Sequence, residues 1–362
     1  MQRGKKIIDN FCIDDEIIEI KPYGCGHIND TYLVTCKKSK YVIQRINHLI
    51  FKKPWEVMEN IINICDHLKS KVMLYGGNPD RETLTFITAK DGTYLAKVDG
   101  NYYRAYNFVD DAITYQTIEN PAHFYSAGKA YGKFQNMLSD FGADRLHETI
   151  ENFHNTEDRF FKFQTAVSEN KAGRKDQVKE EIDFVIKRQD KYGVIVDLLK
   201  ENKIPLRVTH NDTKLNNVLM DKKTGEAICV IDLDTVMPST LLCDFGDAIR
   251  FGTNTADEDE KDLSKVNFDI NLFEQFAKGF LEEMKDSITK TEVEYLPFSA
   301  ILLTLECGIR FLTDHLDGDV YFKTHRENHN LDRARTQFKL AFEMEKKEQE
   351  MKEIIDRIYK SL

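Results

Sequence analysis

The stretch THNDTKLNNVLMDKKTGEAICVIDLD, residues 209–234, decides how the rest of the chain is read. It sets His210 two positions before Asp212 and Asn217 five positions after that carboxylate. An apolar run from Ile228 to Ile231 then leads to a second carboxylate, Asp232. An Asn- and Asp-rich turn between a helix and a hairpin accounts for the composition by itself. The spacing asks for more, because it assembles two carboxylates, a lysine and an amide whose chemical roles are separable, with a strand on the far side.

Moving a γ-phosphoryl group requires a hydroxyl held in line, a carboxylate to orient it and take its proton, and a divalent cation to offset charge on the phosphate oxygens. Asp212 is the candidate base. Asn217 and Asp232 offer the hard oxygen ligands that Mg2+ prefers. Lys214, two positions past Asp212, is within reach of the γ-phosphate. His210 reads as scaffold, packing or hydrogen-bonding to hold the loop.

At 362 residues the chain is too long for one ordinary core and fits two lobes, divided as 1–110 and 111–362. A formal net charge of −10 argues against nucleic acid as a partner, since neutralising phosphates needs a basic surface. The acidic run Asp257 to Glu260 reads as a solvated loop, with attraction of a cationic substrate as the alternative. Seven cysteines without a CxxC pair or metal-like spacing indicate neither a disulfide framework nor a zinc site. The charged N-terminus has no apolar core of signal length, and no stretch reads as a membrane span, so a cytoplasmic protein is expected.

Residues 16–22, 31–36 and 41–45 read as strands, 54–68 as a helix, and 83–88, 94–98 and 102–108 as further strands of one antiparallel sheet. From Pro121 the pattern turns to long helical periodicity, with helices expected over 121–139, 151–170, 175–201, 270–286, 293–316 and 331–361. The order predicts an α+β, bilobal protein-kinase-like fold with a small antiparallel-sheet N-lobe and a larger, mainly helical C-lobe.

The glycines of PYGCGHIND, Gly24 and Gly26, permit either a hairpin turn or a loop whose amides approach the phosphates of ATP. His27 and Asp30 in the same loop are candidates to face the acceptor. A lysine is expected at the end of the third strand to pair with nucleotide phosphates; Gln44 stands there, followed by Arg45. Arg45 either takes over nucleotide binding or points to the opposite face as a surface residue. Asp244 in CDFGDAIRFG is expected to cap a helix and brace the catalytic loop. Arg310, in a mostly apolar helix, either pairs with Glu306 one turn earlier or contacts substrate, and Tyr321 lies in the polar segment that follows.

The strings VTHNDTKLNNVL, CVIDLDTVMP, DFGDAIR and RFLTDHLDGDVYFKTHRENHNLDRARTQFKL resemble the aminoglycoside phosphotransferase superfamily over nearly the whole chain. GHIND, LNNV with IDLDT, and GDVYF resemble its N-acetylhexosamine 1-kinase branch. That resemblance implies an ATP- and Mg2+-dependent kinase acting on the anomeric hydroxyl of a small sugar; no nucleic-acid or membrane partner is expected, and a monomer or weak homodimer is. It assigns the base to Asp212, the metal to Asn217 and Asp232, and the sugar to His27, Arg310 and Tyr321. The competing readings are a kinase for another small hydroxyl compound of the choline, homoserine or aminoglycoside type, and a non-catalytic nucleotide-binding regulator, the latter suggested by Gln44.

Overall fold

A computed structural model describes residues 2–24 and 29–362. The chain packs as two compact units, each discontinuous in sequence. The first comprises Met1–Thr114, Asp140–Glu151 and Val218–Pro238, the second Tyr115–Ser139, Asn152–Asn217 and Ser239–Leu362.

The first unit is built on an antiparallel sheet of β1 (Ile17–Pro22), β2 (Asp30–Cys36), β3 (Lys40–Ile46), β4 (Ala96–Val98) and β5 (Asn101–Asn107), in the order β1-β2-β3-β5-β4. Because side chains alternate along a strand, Tyr41, Ile43 and Arg45 share one face of β3, and Gln44 turns to the other. The helix α1 (Gln2–Ile8) brings Ile7 and Ile8, with the following Phe11, onto the first face, against Val34, Ile43, Val98, Tyr103 and Ala105. The helix α2 (Pro54–Leu74) runs beyond the expected 54–68, burying Val57, Met58, Ile61, Ile64, Leu68 and Val72 at helical spacing.

Residues 83–88 do not form the expected strand. A short helix, α3 (Pro79–Glu82), precedes them, and only Phe86 makes an isolated bridge, to Tyr106. The strand expected over 94–98 shrinks to β4. A second small sheet joins β6 (Ala112–Ile113) to the hairpin of β8 (Val218–Asp221) and β9 (Ala227–Val230), Ala112 pairing Asp221 and Ile113 pairing Met220. This pairing returns residues 218–238 to the first unit.

The second unit is mainly helical: α4 (Pro121–Met137), α5 (Thr156–Glu169), α6 (Lys179–Ile186), α7 (Val194–Lys200), α8 (Leu241–Gly252), α9 (Ile270–Met284), α10 (Lys290–Asp317), α11 (His329–Lys346) and α12 (Glu348–Ser361), with the short β7 (Arg207–Thr209) leading into the loop that carries Asp212. This architecture, an antiparallel-sheet unit with a helical C-terminal region, is the expected fold.

Two long helices are broken. The one expected over 175–201 divides around buried Tyr192, whose hydroxyl donates to the Val185 carbonyl at 2.8 Å, and Gly193 caps the helix that follows. The one expected over 331–361 divides at Lys347, after which α12 turns Met351, Ile354, Ile355 and Ile358 inward.

Helix α10 opens on a capping box between Thr289 and Glu292 and stops at Gly318, whose φ of 101° only glycine adopts readily. Contrary to the sequence expectation, it is long and apolar enough to cross a membrane. Of its most apolar window 78% is buried, as in the core helix of a folded domain. Gly246 lets α8 lie directly on α10, since a Cβ there would stand 2.5 Å from the Ser299 carbonyl oxygen.

Candidate active site

In the second unit the chain leaves β7 and turns sharply at Asn211, which adopts a left-handed φ of 63° that Asn tolerates better than most residues. The turn is held by a buried carboxylate. Asp244, in the first turn of α8, accepts the backbone amides of His210 at 2.9 Å and Asn211 at 2.7 Å, and the side chain of Gln135 at 2.5 Å. Burial pushes the Asp244 carboxyl above its usual value, and the imidazole of His210 and the donated amides pull it back. Asp244 therefore braces the loop as expected. The helix itself is capped by Thr240.

One turn on, Asp247 accepts the Thr213 amide at 3.0 Å. Burial opposes its ionisation, but Arg250, Lys214 and His154 outweigh burial and hold its carboxyl below the ordinary range. His210 is fully buried, with its ring edge-on to Tyr131 and Phe134 at centroid distances of 5.7 and 6.0 Å, which is the scaffold role read from the sequence.

Asp212, Lys214 and Asn217 come together on this loop. Asp212 Oδ1 lies 2.8 Å from Lys214 Nζ, and Asn217 Nδ2 donates to Asp212 Oδ2 at 3.1 Å and to its carbonyl oxygen at 2.8 Å. With its nitrogen so committed, Asn217 has its amide oxygen left to offer a cation. Burial alone would lower the Lys214 ammonium, but Asp212 and Asp247 raise it well above its ordinary value, so it stays charged throughout the working range. Tyr131 further pins the Lys214 carbonyl at 2.7 Å.

A second support was not legible in the sequence. His154 is buried between Glu306 Oε1, 2.9 Å from Nδ1, and the Asn211 carbonyl, 3.1 Å from Nε2. Both neighbours are acceptors, so both ring nitrogens donate and the ring is an imidazolium. Burial by itself lowers the imidazole, and Glu306 more than reverses this, so its titration lies above the ordinary 6.5. A raised imidazole contributes stability that is complete below the unfolded value and is lost as pH rises through the folded one. The melting temperature should therefore fall as pH rises through and above the ordinary imidazole range, and His154→Gln should flatten that slope; an unchanged slope would mean His154 is neutral.

Glu306 is thus not the hydrogen-bonded partner of Arg310. Its other oxygen accepts Thr156 Oγ1 at 2.7 Å. Arg310 lies instead between the rings of Phe153 and Phe322, at 5.6 and 5.5 Å, and no carboxylate among the described residues pairs with it. Arg159 lies within electrostatic range; burial and then the like charge of Arg310 lower its affinity for a proton. Its Nη2 donates to the Phe153 carbonyl at 2.8 Å, and its buried Nε has no partner.

Tyr321 is 61% exposed, edge-on to Phe322 at 4.8 Å. Asp314 fixes its loop by accepting the amides of Val320, Tyr321 and Phe322 at 2.8–2.9 Å. The acidic run is largely paired: Glu258 with Arg250, and Asp259 with Arg326 and His329.

In the first unit Asp232 follows β9 with a left-handed φ of 61°, a conformation that costs an L-residue roughly 1–2 kcal/mol. Among the described residues no three His, Cys, Asp or Glu side chains gather as a metal site. Mg2+ does not require such a cage, being bound by one or two carboxylates together with substrate phosphates and water. The carboxylate of Asp232 and the amide oxygen of Asn217 are of the right type.

Gly24 has a φ of 78°, whereas Gly26 and His27 lie outside the described residues. The strand register separates Arg45 from Gln44. Arg45 lies opposite Asp30, and the two pair at 2.6 Å beside an apolar cavity of about 260 Å³ lined by Ile7, Ile20, Val34, Ile43 and Tyr103. Neither side chain shares the face of Gln44. The cation directly opposite Gln44 is Arg104 on β5, buried against Asp234. An arginine in the middle of the short strand NYYRAYN, where nothing charged is expected, was the available signal for it.

A family model described as "Phosphotransferase enzyme family" matches residues 19–276, more than half of the chain. The chain belongs to that family. Three solved structures share the fold. A microcompartment-associated aminopropanol kinase is 16% identical, covering 97% of this chain and 98% of its own, with a TM-score of 0.64. An aminoglycoside phosphotransferase from Alicyclobacillus acidocaldarius is 13% identical over 99% of this chain and 96% of its own, at 0.65. A spectinomycin phosphotransferase in complex with ADP and spectinomycin is 14% identical over 94% and 98%, at 0.51. At such identities the likeness is one of fold, and the acceptors of these proteins differ from one another.

Proposed function

We propose that this phosphotransferase is an ATP-dependent kinase of a neutral sugar, forming an N-acetylhexosamine 1-phosphate. Asp212 orients the anomeric hydroxyl and takes its proton as the oxygen attacks the γ-phosphorus, the bond from that phosphorus to the β-bridging oxygen breaks, and ADP leaves. An anomeric hydroxyl is more acidic than an ordinary alcohol, so orientation contributes more here than basicity. Lys214 holds Asp212 and supplies positive charge beside the transferring group. Mg2+, held by Asn217 and Asp232, would offset phosphate charge when bound.

The observation that carries the acceptor class is the pair Arg159 and Arg310 in the second unit. Neither has a carboxylate salt-bridge partner among the described residues, and both lie near Glu306, the residue that holds His154 against the catalytic loop. Two guanidinium groups repel an ammonium ion, which counts against amino alcohols and aminoglycosides as acceptors, whereas their N–H groups suit the hydroxyl and acetamide oxygens of a neutral sugar. Tyr321, exposed beside Phe322, adds a flat surface and a hydroxyl. His27 remains a proposed sugar contact.

A coupled assay of ADP release with N-acetylglucosamine, N-acetylgalactosamine, ethanolamine and aminopropanol tests the proposal, with phosphorus NMR of the product locating the phosphate. An amino alcohol turned over more efficiently than either N-acetylhexosamine would overturn it; ADP bound without turnover of any acceptor would favour the regulator. Arg310→Ala should raise the sugar KM by roughly 10- to 100-fold, the worth of hydrogen bonds from a charged group, and leave the ATP KM within about twofold. An effect confined to ATP would sink that role.

A further inference from the structure

Gln44 occupies the place of a phosphate-pairing lysine, and the side chains around it form a different device. Its amide oxygen accepts Arg104 Nε at 3.0 Å and Nη2 at 2.8 Å, and its nitrogen donates to Thr31 Oγ1 at 3.1 Å. Arg104 Nη1 pairs with Asp234 Oδ1, and Asp234 Oδ2 accepts Asn29 Nδ2 at 2.5 Å. Asn29 Oδ1 in turn accepts the Asn47 backbone amide at 3.0 Å.

These contacts, all inside the first unit, connect three features of the candidate nucleotide site. They run from the strand that lacks the lysine, through the turn that carries Asp232, to the first described residue after the glycine loop. Arg104 is 2% exposed, and each of its three nitrogens already donates to Gln44 or Asp234. A guanidinium so enclosed is not a phosphate ligand. Nor is it explained by stability alone, because desolvating a buried ion pair commonly offsets its attraction.

We propose that Arg104, Asp234 and Asn29 are positioning residues for the nucleotide and its metal. Asp234, two residues past Asp232, is clamped from one side by Arg104 and from the other by Asn29. The clamp sets the left-handed turn that presents Asp232 and ties Asn29 to that turn. A strand lysine offers a mobile charge to the phosphates; here fixed geometry of the metal carboxylate replaces it. The inference rests on reading the first unit as a Mg·nucleotide site.

Binding of ADP to the full chain, measured by calorimetry with Mg2+ and with EDTA alongside melting temperatures, tests it. Asn29 is half-buried and its replacement removes little packing, so Asn29→Ala should fold normally. Losing an outer partner of a metal ligand typically weakens binding 10- to 100-fold. We expect Asn29→Ala and Asp234→Asn each to weaken Mg·ADP at least about tenfold, to change ADP in EDTA by less than about threefold, and to be strongly non-additive when combined.

Gln44→Lys separates the clamp from the ordinary arrangement. Placing a second cation against Arg104 should weaken Mg·ADP; tighter binding would overturn the proposal. So would additive effects of the two variants, losses equal with and without metal, or a change in melting temperature alone. Wild-type protein that binds no Mg·ADP would overturn the nucleotide reading itself, whereas wild-type binding that Asn29→Ala leaves unchanged would overturn only the clamp.

Discussion

Asp212→Asn is expected to lower kcat about a thousandfold, within the range that a positioned general base contributes, while ADP binding stays within about twofold of wild type. The substitution preserves shape, so Asn217 keeps its hydrogen bond to the Asp212 carbonyl, and the loop keeps the bonds that Asp244 and Asp247 make to it. What is lost is the only acidic side chain that the loop itself carries. Lys214 loses its 2.8 Å partner but retains the charge of Asp247 nearby. Single-turnover measurement with saturating sugar and ATP checks the expectation. A variant within a few-fold of wild type would show that the proton leaves by another route.

Arg104→Met should destabilise the protein by about 3–5 kcal/mol, the usual cost of breaking a buried ion pair from one side. Asp234, 4% exposed, would lose the guanidinium that now satisfies it, and Gln44 would lose both donors to its amide oxygen. The asymmetry of buried pairs supplies the control. Arg104→Met combined with Asp234→Leu should recover most of the lost stability while still failing to bind Mg·ADP normally, because packing would be restored and the clamp would not. Denaturant melts of both variants would decide it. A single variant that costs under about 1 kcal/mol would place the pair among solvent-screened ones.

Much of the catalytic loop was legible because its spacing is local. Asp212, Lys214 and Asn217 lie within one turn of chain, so their order along the sequence already determines that they meet. The sheet was legible where strands alternate strongly, as in β2 and β3. It failed at 83–88, where a composition suited to a strand lacks a continuous neighbour to pair with. The helical break at Lys347 was invisible because no proline or glycine marks it, whereas the break at Tyr192 carried a signal in Gly193, which caps the helix that follows.

The supports of the loop could not be read in the same way. Asp244 carried a hint in its position before an apolar helix, but His154 and Glu306, 152 positions apart, meet only because α5 and α10 pack. The sequence likewise left Arg45 and Arg310 with two roles each. Strand register resolved the first, turning Arg45 away from Gln44, and competition for partners resolved the second, giving Glu306 to His154.

Residues 209–234 thus determined, unaided, that this chain carries phosphotransferase machinery, since short-range spacing is written directly in the order of residues. Tertiary structure alone decided which charges stand against it. Arg104 opposite Gln44, His154 behind Asn211, and Arg310 without a carboxylate partner among the described residues are all consequences of long-range packing, in which a charge takes its role from the partners that burial leaves within reach.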